Sequence, residues 1–237
     1  MIIAAAQFTA RPCDVEANAA RMAGFVTEAG EQGASLVVFG ELAVTGYELE
    51  AVAADPGRLT LGPDDPRLAP VREACRAAGV AAVVNCPGIG LTISSYVYGP
   101  DGALLAHYDK QHVTGTELAA GFVPGAQDGR FVLDGVRFGL AICYDAHFPD
   151  LAERAAADKC AVLLASSLYG QRGAAERMTV FPALAADNGL FTLLANHAGP
   201  AGPYEACGLS GVWGPDGTVL AELGAGEGLV RAELPLP

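Results

Sequence analysis

Six short apolar runs set the terms for any fold of this chain: Ile2–Phe8, Leu36–Phe39, Val80–Asn85, Val136–Ile142, Ala161–Ala165 and Leu190–Ala195. Each has the length of a buried strand, and helical patterns separate most of them. Asp14 stands before Val15–Glu31, where Val15, Ala19, Met22, Phe25 and Val26 recur at helical spacing and Gly33 closes the segment. Further helices are expected over about Pro66–Ala78, Phe148–Asp158 and Gly173–Asn188, two of them stopped by Gly79 and Gly189. Hairpins interrupt this alternation. Leu91–Tyr98 and Ala103–Tyr108 flank Gly99-Pro-Asp-Gly102, while Phe131–Leu133 and Val136–Ile142 flank Asp134-Gly135. The tail reads as strands Gly208–Trp213, Thr218–Leu223 and Leu229–Glu233, and Pro56–Pro66 as loop. Strand–helix alternation mixed with hairpins predicts an α+β or mixed α/β fold with helices covering a sheet. No repeat, low-complexity linker or long loop divides residues 1–237, so one domain is expected.

The bulk properties narrow the function. Hydrophobic residues are 51% of the chain and charged ones 17%, enough for a thick core. The formal net charge of −13 repels phosphate backbones and anionic lipid, which argues against nucleic-acid and membrane partners. No apolar run is long enough to span a bilayer, and Met1-Ile-Ile-Ala lacks the basic start of a signal peptide. Six cysteines without a CxxC pair fit a reducing, cytoplasmic setting better than a disulfide framework. Histidine and cysteine spacings suggest no metal site, and the glycines at 121, 125 and 129 form no dinucleotide loop. No cofactor is therefore expected.

Three polar residues end apolar runs. Glu41 follows Leu36–Gly40, Lys110 follows Ala103–Tyr108, and Cys143 follows Phe138–Ile142. Ends of strands on one edge of a sheet can converge, and these three would then form a nucleophilic site. A thiol is mostly protonated at neutral pH, a carboxylate can take its proton, and an ammonium favours the thiolate and the later oxyanion. The backbone N–H of Tyr144, next to the thiol, is a candidate oxyanion donor. His112, close to Lys110, is read as a structural histidine.

Three blocks carry a resemblance. Gly40-Glu41-Leu-Ala-Val-Thr-Gly46-Tyr47, Tyr108-Asp109-Lys110-Gln111-His112 and Ile142-Cys143-Tyr144-Asp145-x-x-Phe148-Pro149-Asp150 resemble, in order, the signature blocks of the nitrilase (carbon–nitrogen hydrolase) superfamily. The likeness continues through Ala183–Asn188, Asn196-His197-Ala-Gly199 and the closing hairpin. It implies a four-layer αββα sandwich, a homodimer or larger homo-oligomer, and Glu41 as base, Lys110 as transition-state stabiliser and Cys143 as nucleophile. Glu117 matches a second glutamate that orients the lysine and substrate. The chain departs from the pattern at His147 and Leu184, where arginine is usual, and at Asp150 and Asp187, where glutamate is usual.

The expectation is a thiol-dependent amidase that converts a small carboxamide to carboxylate and ammonia. Hydrolysis of a nitrile or of an N-carbamoyl (ureido) compound by the same three residues is the alternative. From another class, the chain could be a non-catalytic oligomerisation module, against which the intact Glu41, Lys110 and Cys143 argue.

Overall fold

The computed structural model describes residues 1–236. Two six-stranded sheets lie face to face, each covered on its outer side by helices. The first holds β1 (Ile2–Gln7), β2 (Leu36–Phe39), β3 (Ala81–Gly88), β4 (Thr92–Tyr98) and β5 (Leu104–Asp109). The second holds β6 (Arg130–Leu133), β7 (Val136–Ile142), β8 (Val162–Ser166), β9 (Phe191–Ala195), β12 (Gly211–Trp213) and β13 (Val219–Glu222). A small hairpin, β10 (Ala198–Ala201) with β11 (Tyr204–Cys207), stands apart, and β14 (Gly228–Glu233) returns antiparallel to β1 and completes the first sheet. This is the expected αββα sandwich.

The helices form where local signals place them. In α1 (Val15–Glu31) the Asp14 carboxylate accepts from the Ala17 N–H at 3.1 Å, satisfying one of the four free donors of the first turn. Two short helices, α2 (Leu49–Ala54) and α3 (Pro56–Leu59), precede α4 (Ala69–Ala78), which ends on a left-handed Gly79. α1 and α4 cover the first sheet. After α5 (Gly115–Ala119), α6 (Pro149–Ala157) and α7 (Ala174–Asn188) cover the second, burying Leu151, Ala155, Phe181 and Leu184 around Trp213. The main core lies between the sheets, where Phe39, Val83, Phe138, Leu164 and Leu193 are fully or almost fully buried.

Three sequence expectations change. The stretch read as loop over Pro56–Pro66 begins with the turn of α3, whose rigid Pro56 starts the helix. The polar segment after Lys110 contains α5, too short to show periodicity but closed by a capping box between Thr114 and Glu117. The expected strand Gly208–Trp213 starts only at Gly211, because Gly208 and Leu209 both take positive φ and break the run.

Candidate active site

Glu41, Lys110 and Cys143 meet at one end of the sandwich. β2 and β5 belong to the first sheet and β7 to the second, so the site straddles the two inner faces. The Lys110 Nζ lies 2.6 Å from Glu41 Oε1 and 2.6 Å from Glu117 Oε1, and all three side chains are fully buried. Glu117 is itself fixed: its Oε1 accepts from the Tyr47 hydroxyl at 2.6 Å and its Oε2 from the Thr114 N–H at 2.7 Å. Cys143 sits on a sharp elbow with φ of 47°, a left-handed conformation that costs a non-glycine residue about 1 kcal/mol or more. Its Sγ lies 3.7 Å from the Leu168 carbonyl.

Electrostatics separates the roles of these groups. Burial, outweighing the nearby Lys110, pushes the Glu41 carboxyl up to about 7, with Glu117 adding to the rise. Burial and the Glu41 charge hold the Cys143 thiol well above its ordinary value despite Lys110. Burial pulls the Lys110 ammonium down, but the charges of Glu41, Cys143 and Glu117 more than offset it, so it stays protonated. Glu117 goes the other way: burial alone would raise it, yet Lys110 and the hydrogen bonds from Lys110, Tyr47 and Thr114 hold it below the usual range. At rest the site therefore holds a neutral thiol, a permanent ammonium and a permanent Glu117 carboxylate, with Glu41 poised near neutrality. Glu41 Oε2 is buried without a hydrogen-bond partner. The Cys143 thiol is within hydrogen-bonding influence of this carboxyl and helps to hold its pKa down. A buried carboxylate oxygen left free beside a thiol is a ready proton acceptor.

The backbone around Glu41 is pinned from both sheets. The Glu41 N–H donates to the Ser167 carbonyl at 3.2 Å, and the His197 ring donates from Nε2 to the Glu41 carbonyl at 2.5 Å. Burial holds His197 below its ordinary pKa, which keeps it neutral and suits this donor role. A side chain at Gly40 would place its Cβ 2.9 Å from the His197 ring, so only glycine fits there. On the other side the Leu42 N–H donates to Asn85 Oδ1 at 2.6 Å. Asn196 plays a parallel part below Tyr169, accepting from its N–H at 2.8 Å.

Of the remaining sequence candidates, Tyr144 follows the thiol with its ring half-exposed and edge-on to Phe148. His112 is structural: it stacks on Phe148 with centroids 3.6 Å apart and bonds to Asp145. His147 lies 3.1 Å from the Tyr169 hydroxyl, and Asp150 pairs with Arg154 one turn along α6. Leu184 and Asp187 line a groove between α6 and α7 with Val180 and Ala183. None of these four departures hydrogen-bonds or ion-pairs with Glu41, Lys110 or Cys143. Sequence reasoning missed Tyr47, Asp145, His197 and Asn196 as site-building residues. It also missed the β10–β11 hairpin, whose Tyr204 ring packs 5.8 Å from that of Tyr47. A cavity of about 280 Å³ opens between Tyr47, Glu50, Thr116 and Pro203.

Comparison with known proteins decides the family. The carbon–nitrogen hydrolase family model matches residues 2–237. The chain belongs to the carbon–nitrogen hydrolase family. A 2-oxoglutaramate amidase of Bacillus subtilis is 29% identical over 227 residues, covering 91% of this chain and 84% of the relative. An omega-amidase of Homo sapiens is 28% identical over 230 residues, covering 92% and 83%. A solved amidase from Nesterenkonia sp. superposes with a TM-score of 0.92 at 33% identity, covering 99% of this chain and 90% of that one. Another form of the Nesterenkonia amidase, with 99% and 91% covered and a TM-score of 0.91, holds butyramide, and a third carries the acetamide moiety of fluoroacetamide on its active-site cysteine. This chain is accordingly a carbon–nitrogen hydrolase. Among the described residues no helix is long and apolar enough to cross a membrane.

Proposed function

We propose that the chain is a cysteine-dependent amidase acting on small carboxamides, with Cys143 as nucleophile, Glu41 as general base and acid, and Lys110 as oxyanion stabiliser. The observation that carries this reading is the free, buried Glu41 oxygen beside a neutral thiol, with a locked ammonium on the other oxygen. Glu41 takes the thiol proton as sulfur attacks the amide carbon. A C–S bond forms, and the carbonyl π electrons move to oxygen, facing the Lys110 ammonium and the Tyr144 N–H. The protonated Glu41 returns its proton to the amide nitrogen, the C–N bond breaks, and ammonia leaves. Water, deprotonated by the same carboxylate, attacks the thioester, releasing the carboxylic acid and regenerating the thiol. Glu117 keeps Lys110 charged and aimed.

Amides are preferred to nitriles because one form of the similar solved amidase is in complex with butyramide and another carries the acetamide moiety of fluoroacetamide on its active-site cysteine. Six free cysteines support a reducing, cytoplasmic setting. The groove between α6 and α7, lined by Val180, Ala183 and Leu184, supports homodimer formation, which light scattering tests against a 24.2 kDa monomer. The decisive experiment is an ammonia-release screen across acetamide-sized amides, ω-amides, ureido acids and nitriles. Turnover of an amide that disappears in Cys143→Ala supports the reading. Turnover that persists in that variant, or is confined to nitriles, refutes it.

A further inference from the structure

Asp145, two residues beyond the thiol, is fully buried and accepts four hydrogen bonds. Oδ2 accepts from the Tyr108 hydroxyl at 2.7 Å and the Ile142 N–H at 2.9 Å. Oδ1 accepts from the His112 N–H at 2.8 Å and the His112 Nδ1 at 2.9 Å. The donors fall in a telling pattern. Tyr108 and His112 stand two residues before and two after Lys110, and Ile142 stands one residue before Cys143. One carboxylate thus grips the chain on both sides of the lysine and immediately ahead of the nucleophile, across the seam between the two sheets. The same bond to Ile142 closes the 3-10 turn that holds Cys143 in its left-handed conformation.

We propose that Asp145 is a positioning residue that sets the distance and direction from the Lys110 ammonium to the Cys143 sulfur. This inference rests on the amidase reading for its kinetic consequence, though not for its geometry. A carboxylate has lone pairs for all four donors, whereas a carboxamide has one oxygen and must turn an NH₂ toward two N–H or O–H donors. Asp145→Asn therefore keeps the shape and breaks one half of the clamp. Tyr108→Phe removes one donor of the four and leaves the elbow bond intact. The two variants grade the perturbation. Misplacing a reacting group by about 1 Å costs on the order of 10²-fold in rate.

The test measures kcat and KM for an amide turned over by the wild type, the pH profile of kcat/KM, and the rate at which iodoacetamide alkylates Cys143, read by peptide mapping against buried Cys75. Asp145→Asn should lower kcat about 100-fold with KM within about threefold, and Tyr108→Phe about 10-fold. In both, the acid limb of the profile should move upward, because a displaced ammonium no longer offsets the burial of Glu41 among Lys110, Glu117 and Cys143. A role in stability alone would lower Tm and leave kcat per alkylatable thiol, and the limb, where they were; that result overturns the proposal. If Asp145→Asn does not fold, Tyr108→Phe decides by the same readings. If the wild type turns over no amide, the amidase reading fails by itself, and positioning is judged on alkylation. Slower and pH-shifted labelling of Cys143 in the variants supports it, and unchanged labelling rejects it.

Discussion

Replacing Glu117 with glutamine should move the enzyme's acid limb to lower pH. With Glu41 as the proposed base, activity should rise with pH as it ionises, and the wild-type limb should fall at about 7. Two 2.6 Å hydrogen bonds to one nitrogen place the Glu41 and Glu117 oxygens at most about 5 Å apart. Two unit charges at about 5 Å with an effective dielectric of about 20 interact by roughly 3 kcal/mol, which is roughly 2 pH units. Glutamine removes this repulsion, and Lys110, released from one partner, leans harder on Glu41. Both effects favour the ionised carboxyl, so the limb should drop by about 1–2 units. A weaker base also lowers the plateau, by about tenfold on ordinary Brønsted behaviour. The carboxamide oxygen can still accept from Lys110 and Tyr47, but its NH₂ then faces the Thr114 N–H and loses the capping box of α5, costing about 1 kcal/mol. The assay is ammonia release from one small amide between pH 4.5 and 9, with Tm recorded at each pH. A limb that stays at about 7 or rises, alongside a lowered Tm, would reduce Glu117 to a helix cap and refute the electrostatic argument.

Three further outcomes follow from the same charges and contacts. The Glu41 pKa is raised from 4.5 to about 7, so its share of stability is complete below about 4.5 and is lost as pH climbs to about 7. Urea unfolding should accordingly show Glu41→Gln gaining up to ~3 kcal/mol on the wild type between pH 4.5 and 8 while losing turnover, and a pH-independent difference would contradict the shift. Lys110→Met leaves two buried carboxylates facing each other; it should cost about 3–5 kcal/mol at pH 8 and clearly less at pH 5, where one can protonate. An equal loss at both values would mean that the carboxylates separate instead. Gly202 has φ of 56°, and a Cβ there would lie 2.1 Å from the Tyr47 carbonyl oxygen. Gly202→Ala should displace the β10–β11 hairpin and raise KM more than it lowers kcat, and unchanged kinetics would detach the hairpin from the site.

The sequence revealed residues whose position is announced by their own neighbours. Glu41, Lys110 and Cys143 each end an apolar run, and a strand that stops at a polar residue is visible in one dimension. Asp145 and Tyr47 end no apolar run, and most of their hydrogen-bond partners lie far away along the chain. Asp145 looks like any acid in a turn until Tyr108 arrives from the other sheet and His112 from the segment just after it. The α5 capping box was readable as Thr114-x-x-Glu117, but its five helical residues offered no periodicity to confirm it. The β10–β11 hairpin was hidden by Pro200 and Pro203, which usually speak against a strand. Among the described residues the hairpin has no further strand beside β10 to demand the missing N–H of Pro200.

Under the proposed mechanism, the arrangement also accounts for how a thiol with a raised pKa serves as nucleophile. Above about pH 7 the resting groups are ionised Glu41, Lys110 and Glu117 with a neutral, partly accessible Cys143, a net charge of −1. Creating a thiolate without moving its proton onto a neighbour would put a second negative charge into a dry site, the expense that burial and Glu41 already register in Cys143. When Glu41 Oε2 takes that proton as the C–S bond forms, the negative charge moves from the carboxylate to the substrate oxygen. The site stays at −1 throughout, and Lys110 remains beside the charge at both ends of its journey. The same reasoning sets the order of events: proton transfer must accompany attack, since a thiolate formed in advance is the one state the surroundings oppose. A solvent isotope effect on acylation should therefore be normal and clearly above 1. An effect near unity, with Cys143 alkylating as a free thiolate at pH 6, would show that the ion pair forms first and that this charge accounting is wrong.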